Sequence, residues 1–103
     1  MKEREISERQ EREAERALFQ AVLALESLDE ARAFLRDLCT PAELQAMADR
    51  WAVVGPLERG LPYREIHDRT GVSVTTIGRV ARFLETGFGG YRLVASRLRA
   101  RRE

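Results

Sequence analysis

Three hydroxyl side chains and two guanidinium groups fall within ten consecutive positions: Ser73, Thr75, Thr76, Arg79 and Arg82. Groups of this kind are suited to recognition by hydrogen bonding. A hydroxyl donates or accepts, and a guanidinium grips a phosphate or a guanine edge with two parallel N–H donors. Nothing in the chain is arranged for making or breaking bonds. His67 is the only histidine and Cys39 the only cysteine. No Ser/His/Asp, Cys/His, P-loop or metal-ligand spacing occurs, so neither an enzyme nor a metal or cofactor site is expected. A single cysteine excludes an internal disulfide and a Cys-rich zinc site.

The polar set needs two short helices and a tight turn to present it. Tyr63 to Gly87 has the pattern of a helix-turn-helix, with helices expected at about 63–69 and 74–85. Gly71 suits the left-handed backbone of the turn. Val72 can tuck inward, and Ser73 can cap the second helix. Ile66, Val72, Ile77 and Val80 are spaced to share one small core. The outward face then carries Ser73, Val74, Thr75, Thr76, Gly78, Arg79 and Arg82, with Arg64 and His67 placed on the first helix to fix register on a phosphate backbone. Double-stranded DNA is the ligand that this set would read. The plain alternative is a helical hairpin with a glycine turn.

Upstream, charged residues of both signs dominate positions 2–16, which suit a charged N-terminal arm or a helix extension. Leu18, Phe19, Val22, Leu23 and Leu25 then form an apolar stripe at helical spacing. Ser27-Leu28-Asp29-Glu30 reads as a capping box opening a second helix, and Thr40-Pro41-Ala42-Glu43 as another opening a third. The third helix should run from Pro41 to about Arg59, with a kink at Gly55-Pro56 because proline removes one backbone bond. A last helix is expected over about 91–101. No strand alternation occurs. The expectation is an all-α fold of six helices: residues 1–16 as an arm, and residues 17–103 as a helical core bearing the helix-turn-helix at 63–87. The first three helices are rich enough in Leu, Phe and Trp to build that core.

Charge divides the chain. Residues 1–58 hold eight Lys/Arg and thirteen Asp/Glu, whereas residues 59–103 hold ten Arg and four Asp/Glu, giving a net +1 overall. A basic C-terminal half agrees with a polyanionic partner. Seventeen of the eighteen basic residues are Arg, which suits phosphate contacts but also follows from GC-rich coding. No run reaches the roughly 18 apolar residues of a membrane span, and no signal peptide is evident. A soluble cytoplasmic protein with no membrane partner is expected.

The stretch from about Leu38 to Leu84 resembles the Trp repressor family, closest to its YerC/YecD-type branch. The resemblance is carried by Leu38-Cys39-Thr40-Pro41-Ala42-Glu43, Arg50, Arg59-Gly60, Arg64-Glu65-Ile66, Gly71 and Thr75-Thr76-Ile77-Gly78-Arg79-Val80. In that branch it extends through Gly87 and Tyr91. It implies an intertwined homodimer whose two recognition helices, roughly 34 Å apart, read a palindromic operator. It also implies an effector position formed by Thr40, Arg50 and Arg79. There the residues that leave room for an indole and receive an amino group are replaced by Val80 and Phe83. Those two side chains are expected to fill the space, so L-tryptophan is not expected to act as corepressor.

Trp51 reads as a core residue and Cys39 as a small residue at a helix junction. His67 is open between solvated surface and phosphate contact. A protein-interaction module and a DNA-binding accessory of replication or transposition stand as alternatives to a dimeric transcriptional regulator acting as a repressor.

Overall fold

The structure is a computed structural model and describes residues 7–102. It is all-α, with seven helical segments among the described residues: α1 (Glu8–Leu23), α2 (Leu28–Leu38), α3 (Pro41–Ala52), α4 (Val54–Glu58), α5 (Tyr63–Thr70), α6 (Val74–Thr86) and α7 (Gly90–Arg102). They divide into two compact units, Met1–Thr40 and Pro41–Glu103. No helix among the described residues is long and apolar enough to cross a membrane.

In the first unit, α1 starts well before the apolar stripe. Ser7 and Gln10 form a capping box: Ser7 Oγ accepts from the Gln10 N–H at 3.2 Å, and Gln10 Oε1 accepts from the Ser7 N–H at 2.9 Å. The charged stretch is therefore helical from Glu8 onward, and positions 2–6 lie outside the described residues. Exposed i,i+4 pairs such as Arg9–Glu13 at 3.1 Å line its surface and add little stability. Ser27 caps α2 as expected, accepting from the Glu30 N–H at 3.1 Å. The Glu30 carboxylate reaches back one residue further than a capping box requires, to the Glu26 N–H at 2.9 Å.

The predicted third helix is present as two segments, α3 and α4. Pro56 has no N–H to offer the carbonyl of Ala52, and the helix breaks at Val53, one turn before the proline rather than at it. The break turns two successive valines inward, and Val53 and Val54 are both buried.

The buried cluster of the single chain lies in the second unit. None of α1, α2 or α3 buries a side chain fully. Val53, Val54, Ile66, Val72, Ile77, Val80, Leu84 and Ala95 form the buried cluster, flanked by Leu57, Leu61 and Tyr91. All belong to the second unit. Side chains of this size each stabilise a fold by about 1.5–3 kcal/mol when fully buried. The Leu- and Phe-rich faces of the first unit remain open to solvent in the single chain: Phe19 is 56% exposed, Leu23 84% and Leu28 74%. Apolar composition marked these helices as core-forming, but a face can be buried only where another element covers it.

Candidate nucleic-acid interface

The turn between α5 and α6 is built from local chemistry. Gly71 ends α5 in the left-handed region at φ 77° and donates its N–H to the His67 carbonyl at 2.8 Å. Thr70 braces the turn from both sides. Its hydroxyl donates to the Ile66 carbonyl at 2.7 Å and accepts from the Val72 N–H at 3.1 Å. Val72 points inward, and with Ile66, Ile77 and Val80 it forms the apolar crossing expected from their spacing. Ser73 then caps α6, accepting from the Thr76 N–H at 3.1 Å.

His67 has a role that neither sequence alternative included. Its Nδ1 lies 2.7 Å from the Val72 carbonyl oxygen. A carbonyl only accepts, so Nδ1 carries the proton. The ring ties the end of α5 to the residue after the turn and leaves Nε2 for a further contact. The Thr70 brace was also missed. A threonine just before a turn glycine was the available signal, since its hydroxyl can reach back four residues to a helix carbonyl.

The expected reading residues fall on this framework as follows. Ser73, Val74, Thr75, Arg79 and Arg82 are exposed on α6, and Arg64 and His67 are exposed on α5. Thr76 is half-buried, its hydroxyl 3.0 Å from Ser73 Oγ. Gly78 is half-buried beneath the Tyr63 ring, where a Cβ would sit 3.7 Å from the ring edge. It therefore lies at the α5–α6 crossing. The first turn of α6 thus offers exposed hydroxyls, free helical N–H groups and no acidic side chain, with arginines one and two turns further along. Such a surface binds phosphate and base-edge acceptors.

Beside α6 lies a cavity of about 550 Å³, whose walls include Arg50, Arg79, Val80, Phe83, Trp51 and Tyr91. Four of the five residues expected at an effector position meet there; Thr40 belongs to the first unit. Val80 and Phe83, the two side chains expected to fill this space, both line it. Val80 is directed into the core on the same face as Ile77 and Leu84, and it is 1% exposed. Phe83 forms a wall and remains half-exposed. Trp51, expected in the core, is 40% exposed, its ring centroid 6.4 Å from that of Tyr91. Among the described residues no group of His, Cys, Asp and Glu could hold a metal ion.

A helix-turn-helix on an all-α frame, with a cavity between two arginines behind its second helix, defines a class of DNA-binding regulators. The chain belongs to the Trp repressor family: the model of the Trp repressor protein matches residues 13–99. It is 39% identical over 82 residues to YerC of Bacillus subtilis, a protein of uncharacterised role, covering 80% of this chain and 79% of YerC. Two crystal structures share the fold. A TrpR-like protein from Eubacterium eligens is 42% identical with a TM-score of 0.79, over 84% of this chain and 89% of that one. A candidate Trp repressor from Staphylococcus aureus is 36% identical with a TM-score of 0.80, over 84% and 86%.

Proposed function

We propose that this chain is a sequence-specific double-stranded DNA-binding transcriptional regulator. It acts as a homodimer and represses by occupying a palindromic operator. The observation that carries the reading is the capped N-terminus of α6. It is held by the Gly71 turn and exposes Ser73, Thr75, Arg79 and Arg82, with no acidic side chain in its first turn. Exposed hydroxyls near the helix start let the backbone approach a groove floor, and the arginines reach guanine edges or phosphates. Arg64 and the free Nε2 of His67 supply backbone contacts from α5. Residues 17–60 supply the dimer core, which fits the open apolar faces of α1 and α2. The cell compartment that fits this role is the cytoplasm.

The test starts with selection of genomic fragments by the purified protein, followed by gel-shift titration on the enriched site. Affinity should fall steeply with salt, by a factor of order a thousand or more between about 50 and 200 mM for six to ten phosphate contacts. Arg79→Ala and Thr75→Ala should each weaken that binding and leave the helical circular dichroism unchanged. Wild-type affinity in both variants would overturn the docking arrangement. Absence of any enriched sequence would favour a protein-interaction module instead.

A further inference from the structure

A gap interrupts the reading face of α6. Thr75 and Arg82 are exposed one turn before and one turn after Gly78, on the same side of the helix. Glycine leaves the place between them without a side chain. That place is occupied from α5. Among the described residues the Tyr63 ring is the only group outside α6 within 4 Å of a Cβ built on Gly78, at 3.7 Å. The atom in contact is Cε2, which is bonded to the hydroxyl-bearing carbon. The hydroxyl end of the ring therefore lies beside α6, although Tyr63 is the first residue of α5. Tyr63 is 41% exposed, and among the described residues its hydroxyl makes no hydrogen bond. Both residues lie outside the segment 17–60 assigned to the dimer core.

A helix lying in a major groove, about 12 Å wide, meets base edges with its outermost face and phosphates with its flanks. Gly78 is half-buried and so lies on a flank, turned toward α5, whereas Thr75 and Arg82 are exposed. A phenol O–H is a donor that a phosphate oxygen can accept. Tyr63 also opens α5, where Pro62 supplies no side-chain cap. The first N–H groups of that helix are therefore open to the same phosphate backbone. The one carboxylate of that turn, Glu65, is paired with Arg69 at 2.9 Å. We propose that Tyr63 is a DNA-contacting residue: its ring fills the place left by Gly78, and its hydroxyl donates to a backbone phosphate that flanks the bases read by Thr75. The assignment rests on the DNA-binding reading of α6.

Tyr63→Phe removes the hydroxyl and keeps the ring, so the packing on α6 is retained. Gel-shift titration of the full chain on the enriched operator should show binding weakened about threefold to tenfold, the effect of one hydrogen bond. Unrelated duplex should lose the same factor, because a phosphate carries no sequence. The slope of affinity against salt should match wild type, because a neutral hydroxyl releases no counter-ion. Operators with one phosphate at a time replaced by neutral methylphosphonate locate the contact. At one position in each half-site, the replacement and Tyr63→Phe together should cost less than their separate effects combined. The assignment is overturned if Tyr63→Phe binds like wild type, or if its loss is confined to the operator sequence. It is equally overturned if Tyr63→Phe melts several degrees below wild type, for the hydroxyl would then be structural. A wild-type chain that binds no duplex overturns the DNA-binding reading and this assignment together, whereas the other outcomes overturn this assignment alone.

Discussion

The imidazole of His67 is bonded through Nδ1 to the carbonyl oxygen of Val72, 2.7 Å away and five residues on. With the two Thr70 bonds it closes the turn that sets the angle of α6. A side chain-to-backbone bond of this kind contributes about 0.5–1.5 kcal/mol. His67→Ala should therefore lower unfolding stability by about 1 kcal/mol in a denaturant titration. It should weaken DNA binding by loosening the turn as well as by losing a contact. Unchanged stability would mean that the bond is not maintained in solution.

Ser73 and Thr75 separate scaffold from reading surface. Ser73 Oγ accepts the Thr76 N–H, whereas Thr75 is exposed two residues on. Losing an N-cap costs about 1 kcal/mol. Ser73→Ala should lower the unfolding free energy by about that much. Thr75→Ala should leave it within about 0.5 kcal/mol, as exposed substitutions do, while weakening the DNA complex. Thermal unfolding paired with gel shift on both variants distinguishes the two roles.

Gly87 and Gly90 look equivalent in sequence but are not in space. A Cβ on Gly87 would overlap the Phe83 carbonyl oxygen, to which the Gly87 N–H is bonded at 2.9 Å. A Cβ on Gly90, the first residue of α7, would meet nothing within 4 Å. Gly87→Ala should destabilise by about 1–3 kcal/mol through the shift forced on the end of α6. Gly90→Ala should be neutral or stabilising by up to about 1 kcal/mol, because it narrows the unfolded ensemble. Equal melting temperatures for the two variants would contradict this geometry.

Much of this arrangement was legible in the residues, and the failures have definite causes. The helix-turn-helix was readable because Gly71, Ser73 and the Ile66/Val72/Ile77/Val80 set act through local geometry that depends only on spacing. The break at Val53 was displaced from the expected kink because the bond that Pro56 removes belongs to Ala52, four residues earlier. Apolar periodicity says which face seeks cover and not what covers it, so Phe19 and Leu23 are exposed in the single chain. The direction of Val80, inward beside Ile77, is a detail that its size alone does not give.

The open faces of the first unit give the next test. Phe19 and Leu23 are 56% and 84% exposed, and contiguous apolar surface of this kind marks an interaction site. If a second copy covers them, a charge there must be buried without a partner, which is strongly unfavourable. Phe19→Glu and Leu23→Glu should each shift the sedimenting species from two chains to one at micromolar concentration. Operator affinity should fall with it, since two linked recognition helices bind far more tightly than one. A wild-type protein sedimenting as a single chain would remove the dimer from the proposed mechanism.

The chemistry of the cavity beside α6 argues against L-tryptophan as a ligand. In the single chain a cavity of about 550 Å³ lies beside Arg50 and Arg79, with Val80 and Phe83 in its lining. Two guanidiniums suit a carboxylate. No Asp or Glu lines the cavity, however, and Phe83 presents a ring where the family resemblance places a serine for the ligand's amino group. An ammonium group taken from water without a partner costs several kcal/mol, of the same order as the free energy of a millimolar complex, about 4 kcal/mol. L-tryptophan should therefore give no saturable heat at millimolar concentration and leave operator affinity unchanged. Phe83→Ser restores a polar acceptor at that wall and should bring L-tryptophan binding into measurable range. Saturable binding to the unaltered chain would show that backbone carbonyls alone satisfy the ammonium group.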